Sequence, residues 1–156
     1  MGKFGSAASL ILAAQGGWSA CAPETVSLRL ANGSAVRFST ELADTEAERE
    51  VGLMNRTKMA SSAGMLFQYQ TPHHVYFWMK NTLIPLDMIF ADAKGRVTSV
   101  HADAVPMDET PIDGGPGVSY VLEINGGLAR RLGLEPGAVM QADVMDQRQA
   151  TWSCAE

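Results

Sequence analysis

Helical periodicity never persists in this chain beyond a couple of turns, whereas strict apolar–polar alternation keeps returning between turn signals. A doubly wound sheet needs a long helix between successive strands, and no segment supplies one. Many short strands with one apolar face can instead be buried by curling the sheet on itself. The expected class is therefore α+β and β-rich: a curled antiparallel sheet or small barrel with two short helices. A length of 156 residues with 46% hydrophobic content suits one domain with its own core.

The local signals are specific. Val26, Leu28 and Leu30 alternate with polar residues, as do Val36 and Phe38, and Asn32-Gly33 between them suits a tight hairpin turn. Thr45 with Glu48 has the spacing of a capping box, and Ala47, Val51 and Met54 then share one helical face. Gly64–Phe67 is a short apolar piece. From His74 to Lys80 the chain alternates, with Val75, Phe77 and Met79 on one side and His74, Tyr76, Trp78 and Lys80 on the other. Leu86–Phe90 and Arg96–Ala102 form a second hairpin about Lys94-Gly95. Pro106–Gly117, rich in Pro and Gly, reads as a long loop. Val118–Ile124 is a further strand, followed by a short helix stopped at Gly133 and a last strand over Ala138–Val144.

The ends bear on compartment. Lys3, the apolar run Ala7–Ala14 and small residues up to Cys21 have the three-part layout of an export signal. The expected organisation is an export segment over 1–22, a globular domain over 23–145 and a tail over 146–156, in an exported, periplasmic or envelope-associated protein. Ser19-Ala20-Cys21 is similar to the end of a bacterial lipobox, with Trp18 in place of the usual aliphatic residue. A lipid on Cys21 would be the chain's one membrane link. The alternatives are a disulfide to Cys154 or removal of Cys21 with the signal. A net charge of −5 argues against nucleic acid as a partner.

Glu41-Leu42-Ala43, Ala47-Glu48-Arg49, Gly52-Leu53-Met54-Asn55-Arg56 and Gly64-Met65-Leu66-Phe67 occur in that order. Phe77-Trp78-Met79-Lys80-Asn81-Thr82, Ile84-Pro85-Leu86-Asp87, Tyr120-Val121-Leu122-Glu123 and Gly133 with Pro136-Gly137 follow. Over Glu41–Asp143 the chain thereby resembles the bacterial and archaeal family named domain of unknown function 192. Met59 and Ala138 depart from its usual pattern. The resemblance implies a compact, β-rich and often exported domain, and it implies no activity.

Zinc-protease, nucleophile-elbow and phosphate-loop motifs are absent. Two groupings remain. On one strand face Tyr76 and Trp78 offer rings for stacking and Lys80 a donor for an anion. A polar set of Arg49, Asn55, Arg56, Lys80, Asn81, Asp87 and Glu123 surrounds that strand in the sequence. Arg56, which has no evident local carboxylate, could assist Lys80. Asp87 could pair with Lys80 across the Pro85 turn, and Asp87 with Glu123 could act as an acid–base pair. Candidate ligand-binding residues are thus Arg56, Tyr76, Trp78, Lys80, Asn81, Thr82, Asp87 and Glu123. In the arrangement expected, Trp78 floors a shallow pocket and Lys80 with Arg56 holds an anion. His73 and His74, adjacent on a strand, point to opposite faces, so at most one could join His101, and neither a metal nor a cofactor is expected. The leading function is a non-catalytic module for a small polar or anionic ligand or a saccharide. The alternatives are a hydrolase using Asp87 or Glu123 with Lys80, and a structural or partner-binding accessory protein.

Overall fold

A computed structural model describes residues 21–155, so the expected export segment lies almost wholly outside the described residues. The hairpin of β1 (Thr25–Arg29) and β2 (Ala35–Ala43) turns at Gly33, whose φ of +83° is a conformation open to glycine. The capping box forms in both directions: the Glu48 N–H donates to Thr45 Oγ1 at 3.3 Å, and the Thr45 N–H donates to Glu48 Oε2 at 3.1 Å. It starts α1 (Glu46–Val51), which crosses to β3 (Ala63–Phe77). β4 (Leu86–Asp92), β5 (Val97–Ala104) and β6 (Ile112–Asn125) follow, then α2 (Leu128–Leu132) and β7 (Val139–Gln141).

The seven strands form one sheet in the order β5-β4-β6-β3-β2-β1-β7. Every pair is antiparallel except β2 with β3, the pair joined through α1. The sheet curls until its ends meet: the Val97 N–H donates to Ala138 O at 2.8 Å and the Met140 N–H to Gly95 O at 2.7 Å. The β-rich, curled architecture with two short helices is the one the alternation implies.

Three local expectations are corrected. Gly64–Phe67 and the strand from His74 are one long β3, broken by register shifts between Gln68 and Tyr76. The Pro106–Gly117 loop is shorter than expected, because Ile112–Gly117 already belongs to β6 and pairs with the far end of β3. Glycine permits this: a Cβ on Gly114 would meet the Phe90 ring at 2.4 Å, so the arm lies flat on the core only there. Finally, α1 buries no residue, and Val51 is 59% exposed. The buried anchor of this segment is Leu53, beyond Gly52.

Two cores result. Val26, Leu28, Phe38, Leu66, Ile89, Leu122, Ile124 and Met140 fill the inside of the curl. On the opposite face of β3, β4 and β6, Met65, Phe67, Met88, Phe90 and Val121 pack beneath Leu53 and Met79. Strand β6 alternates between the two, which is why Val118–Ile124 is buried without a break.

The described part of the expected tail, 146–155, packs back on the domain. Trp152 is buried with the Arg29 guanidinium over its ring at 4.7 Å, and the Gln141 side chain donates to Ser153 O at 2.7 Å. Cys21 and Cys154 are joined by a disulfide. Among the described residues no helix is long and apolar enough to cross a membrane.

Candidate functional site

A groove of about 690 Å³ opens on the second face of the sheet, between α1 with Gly52–Met54 and the chain from Tyr76 to Thr82. Its positions follow from the alternation along β3. Val75 and Met79 turn into the core, so Tyr76 and Trp78 turn out, 60% and 47% exposed. Beyond Phe77 the strand hydrogen bonding ends, but the alternation persists to Lys80, whose Nζ lies 4.9 Å from the Trp78 ring centroid. The turn is held by Asn81, at φ +52°, whose carbonyl accepts from the Asn55 N–H at 2.8 Å. Asn55 is itself left-handed, and asparagine tolerates that conformation better than most residues. The Thr82 hydroxyl is spent within the turn, donating to Lys80 O at 3.1 Å.

The floor is Glu123. Its cross-strand neighbours on β3 and β4 are Met65 and Met88, both buried, so its side chain stands on a carbon surface. The residue is 4% exposed, and among the described residues no hydrogen bond or ion pair reaches its carboxyl. Burial pushes that carboxyl up to about 8, so it is largely neutral at pH 7 and has a proton to donate. Burial also raises the nearby Tyr69 phenol, with Arg49 acting to lower it and Glu123 to raise it. Arg49 stacks over the Tyr69 ring at 4.9 Å and donates to Gln68 O at 2.9 Å. Glu46, Glu50 and Val51 of α1 line the rim.

Six of the candidate residues therefore line one groove: Tyr76, Trp78, Lys80, Asn81, Thr82 and Glu123. Two do not. Arg56 has the carboxylate partner the sequence hid, Glu41, fifteen residues earlier, which it grips with both guanidinium nitrogens, one pair at 2.7 Å. Asp87 does not meet Lys80. It is fully buried and accepts the backbone N–H groups of Asp103 at 2.7 Å, Gly127 at 2.9 Å and Ala129 at 2.7 Å. The carboxylate thus ties β4 to β5 and to the start of α2, whose N-cap Gly127 has no side chain of its own for the purpose. The Asp87–Glu123 acid pair goes with it. Trp78 is a wall of the groove, and Glu123 takes the place at its base. Tyr69, His73 and Phe67 also line it, and nothing in their spacing shows this, because the irregular middle of β3 resets the alternation.

The model of the family described as an uncharacterised ACR, domain of unknown function 192, matches residues 28–142. Among solved structures, the chain is similar to a protein of unknown function from Novosphingobium aromaticivorans. That protein shows 46% identity and a TM-score of 0.72, over 74% of this chain and 82% of that one. It is also similar to a protein from Sinorhizobium meliloti provisionally assigned as a transcription regulator. Here identity is 43% and the TM-score 0.73, over 80% of this chain and 96% of that one. A comparison with curated proteins finds no match. With a match across most of its length and the expected segments in order on one curled sheet, this chain belongs to the domain of unknown function 192 family.

Proposed function

We propose that the protein is a non-catalytic, exported module whose groove binds a saccharide. The observation that carries this reading is the Glu123 carboxyl, without a protein partner among the described residues, at the base of a groove walled by exposed Trp78 and Tyr76. The carboxyl oxygens are not sealed from solvent, so a ligand entering the groove can take up a hydrogen bond that no protein group makes. Exposed rings beside a donor suit the apolar face and polar edge of a sugar.

Charge narrows the class. Glu46 and Glu50 offset Arg49 and Lys80 around the groove, and Glu123 is largely neutral, so an uncharged polar ligand fits better than a strong anion. The same balance gives a polyphosphate little to hold, and a net charge of −5 disfavours nucleic acid as a ligand. The hydrolase reading retains Glu123 but loses Asp87 to the backbone. Export is supported by the Cys21–Cys154 disulfide, since such bonds persist in oxidising compartments. A sulfur so engaged carries no lipid.

The test is a titration of the full chain with neutral oligosaccharides, followed by calorimetry. Binding should weaken at least tenfold in Trp78→Ala while circular dichroism stays unchanged. Absence of binding to every neutral saccharide, or equal binding by Trp78→Ala, overturns the reading.

A further inference from the structure

We propose that the groove selects an N-acetylated sugar, whose acetyl carbonyl accepts a hydrogen bond from Glu123. This deepens the saccharide reading and rests on it.

The surroundings of Glu123 define what can reach it. Its cross-strand neighbours are methionines, and Leu53 and Phe67 are among the apolar residues that line the groove with it. The base of the groove is therefore largely carbon, with the Glu123 carboxyl and the neighbouring Tyr69 phenol as its polar groups and Arg49 beside the phenol. The group that fits it is mostly carbon and carries an acceptor. An acetyl group has this composition: its methyl can lie on Leu53 and Phe67 while its carbonyl oxygen faces the Glu123 O–H. A bare ring hydroxyl leaves the apolar part of the base uncovered. An ionised group would face a buried site with no counter-charge in contact, a costly arrangement.

The remaining geometry is consistent with a sugar entering acetyl first. The ring would then lie at the level of Trp78, half exposed above the buried base. Lys80 and Asn81, on the rim, are placed to meet the outer hydroxyls, and Lys80 now rests on the Trp78 ring. Because the donor is a neutral carboxylic acid, ionisation removes the hydrogen bond and sets a negative oxygen against the carbonyl. Gln at this position keeps a donor that cannot ionise, and Leu removes it.

The experiment compares oligomers of N-acetylglucosamine with those of glucose, titrated into the full chain at pH 6.5 and 9.5, with folding checked by circular dichroism. The N-acetylated oligomer should bind at least tenfold tighter at pH 6.5. Glu123→Leu should lose that preference and Glu123→Gln should keep it. The wild-type preference should fall at least tenfold at pH 9.5 while that of Glu123→Gln holds. If the wild type unfolds at pH 9.5, the Leu and Gln variants at pH 6.5 decide alone. Equal binding of both oligomers, or an undiminished preference in Glu123→Leu, overturns this inference and leaves the saccharide reading intact. Absence of binding to either oligomer and to other neutral saccharides overturns both.

Discussion

Two carboxylates on neighbouring strands, Asp87 and Glu123, are both buried and have opposite circumstances. Asp87 receives three backbone N–H groups, and Glu123 receives no partner among the described residues. Asp87→Ala would strand those three donors, and we expect it to cost about 2–4 kcal/mol in urea unfolding. Glu123 acts on stability in the other direction. Its folded pKa, about 8, lies above the ordinary carboxylate value of 4.5, so its neutral form is the one the fold favours. Its contribution is fully present below about pH 4.5 and is lost as pH rises through about 8. The loss is on the order of 5 kcal/mol. Glu123→Gln should therefore match the wild type near pH 4 and exceed it in stability at pH 9, as read by denaturant midpoints across that range. A wild-type profile flat over the same interval would show that the carboxyl is paired or solvated well enough to ionise freely.

At the scale of elements, α1 forms the rim of the groove yet contributes nothing to the core. Its helical form depends on the Thr45–Glu48 box and on the contacts of Arg49 with Gln68 and Tyr69. Thr45→Ala should cost roughly 1 kcal/mol of global stability at most, and its clearer sign should be faster amide exchange confined to Glu46–Val51. The Arg56–Glu41 pair links the segment after α1 to β2 and is more than a third exposed on each side. Arg56→Ala should change stability by less than about 1 kcal/mol and leave ligand affinity unaltered. An affinity loss in calorimetry would return Arg56 to the site.

Across the whole molecule, the disulfide ties the segment entering β1 to the C-terminal tail, closing a span of 133 residues. Trp152 and Gln141 hold the same tail to β1 and β7. Cys21→Ser with Cys154→Ser should lower stability by about 2–4 kcal/mol, measured against the oxidised wild type. The groove lies on β3, β6 and α1, away from this closure, so its affinity for ligand should survive the double substitution.

The sequence alone carried the period of each strand, the Asn32-Gly33 turn, the capping box and the outward projection of Trp78 with Lys80, all of which depend on neighbours a few residues apart. It also limited the fold to a curled, β-rich sheet, since short strands without long helices have few other ways to bury their apolar faces. What it could not carry was every fact set by contacts between distant segments. Glu41 reaches Arg56 because β2 runs beside the segment after α1. Asp87 loses its expected lysine because β5 and the start of α2 bring three N–H groups to it first. Glu123 looks like any strand carboxylate until Met65 and Met88 flank it across the sheet. Strand register decides those neighbours, and register is a property of the assembled sheet.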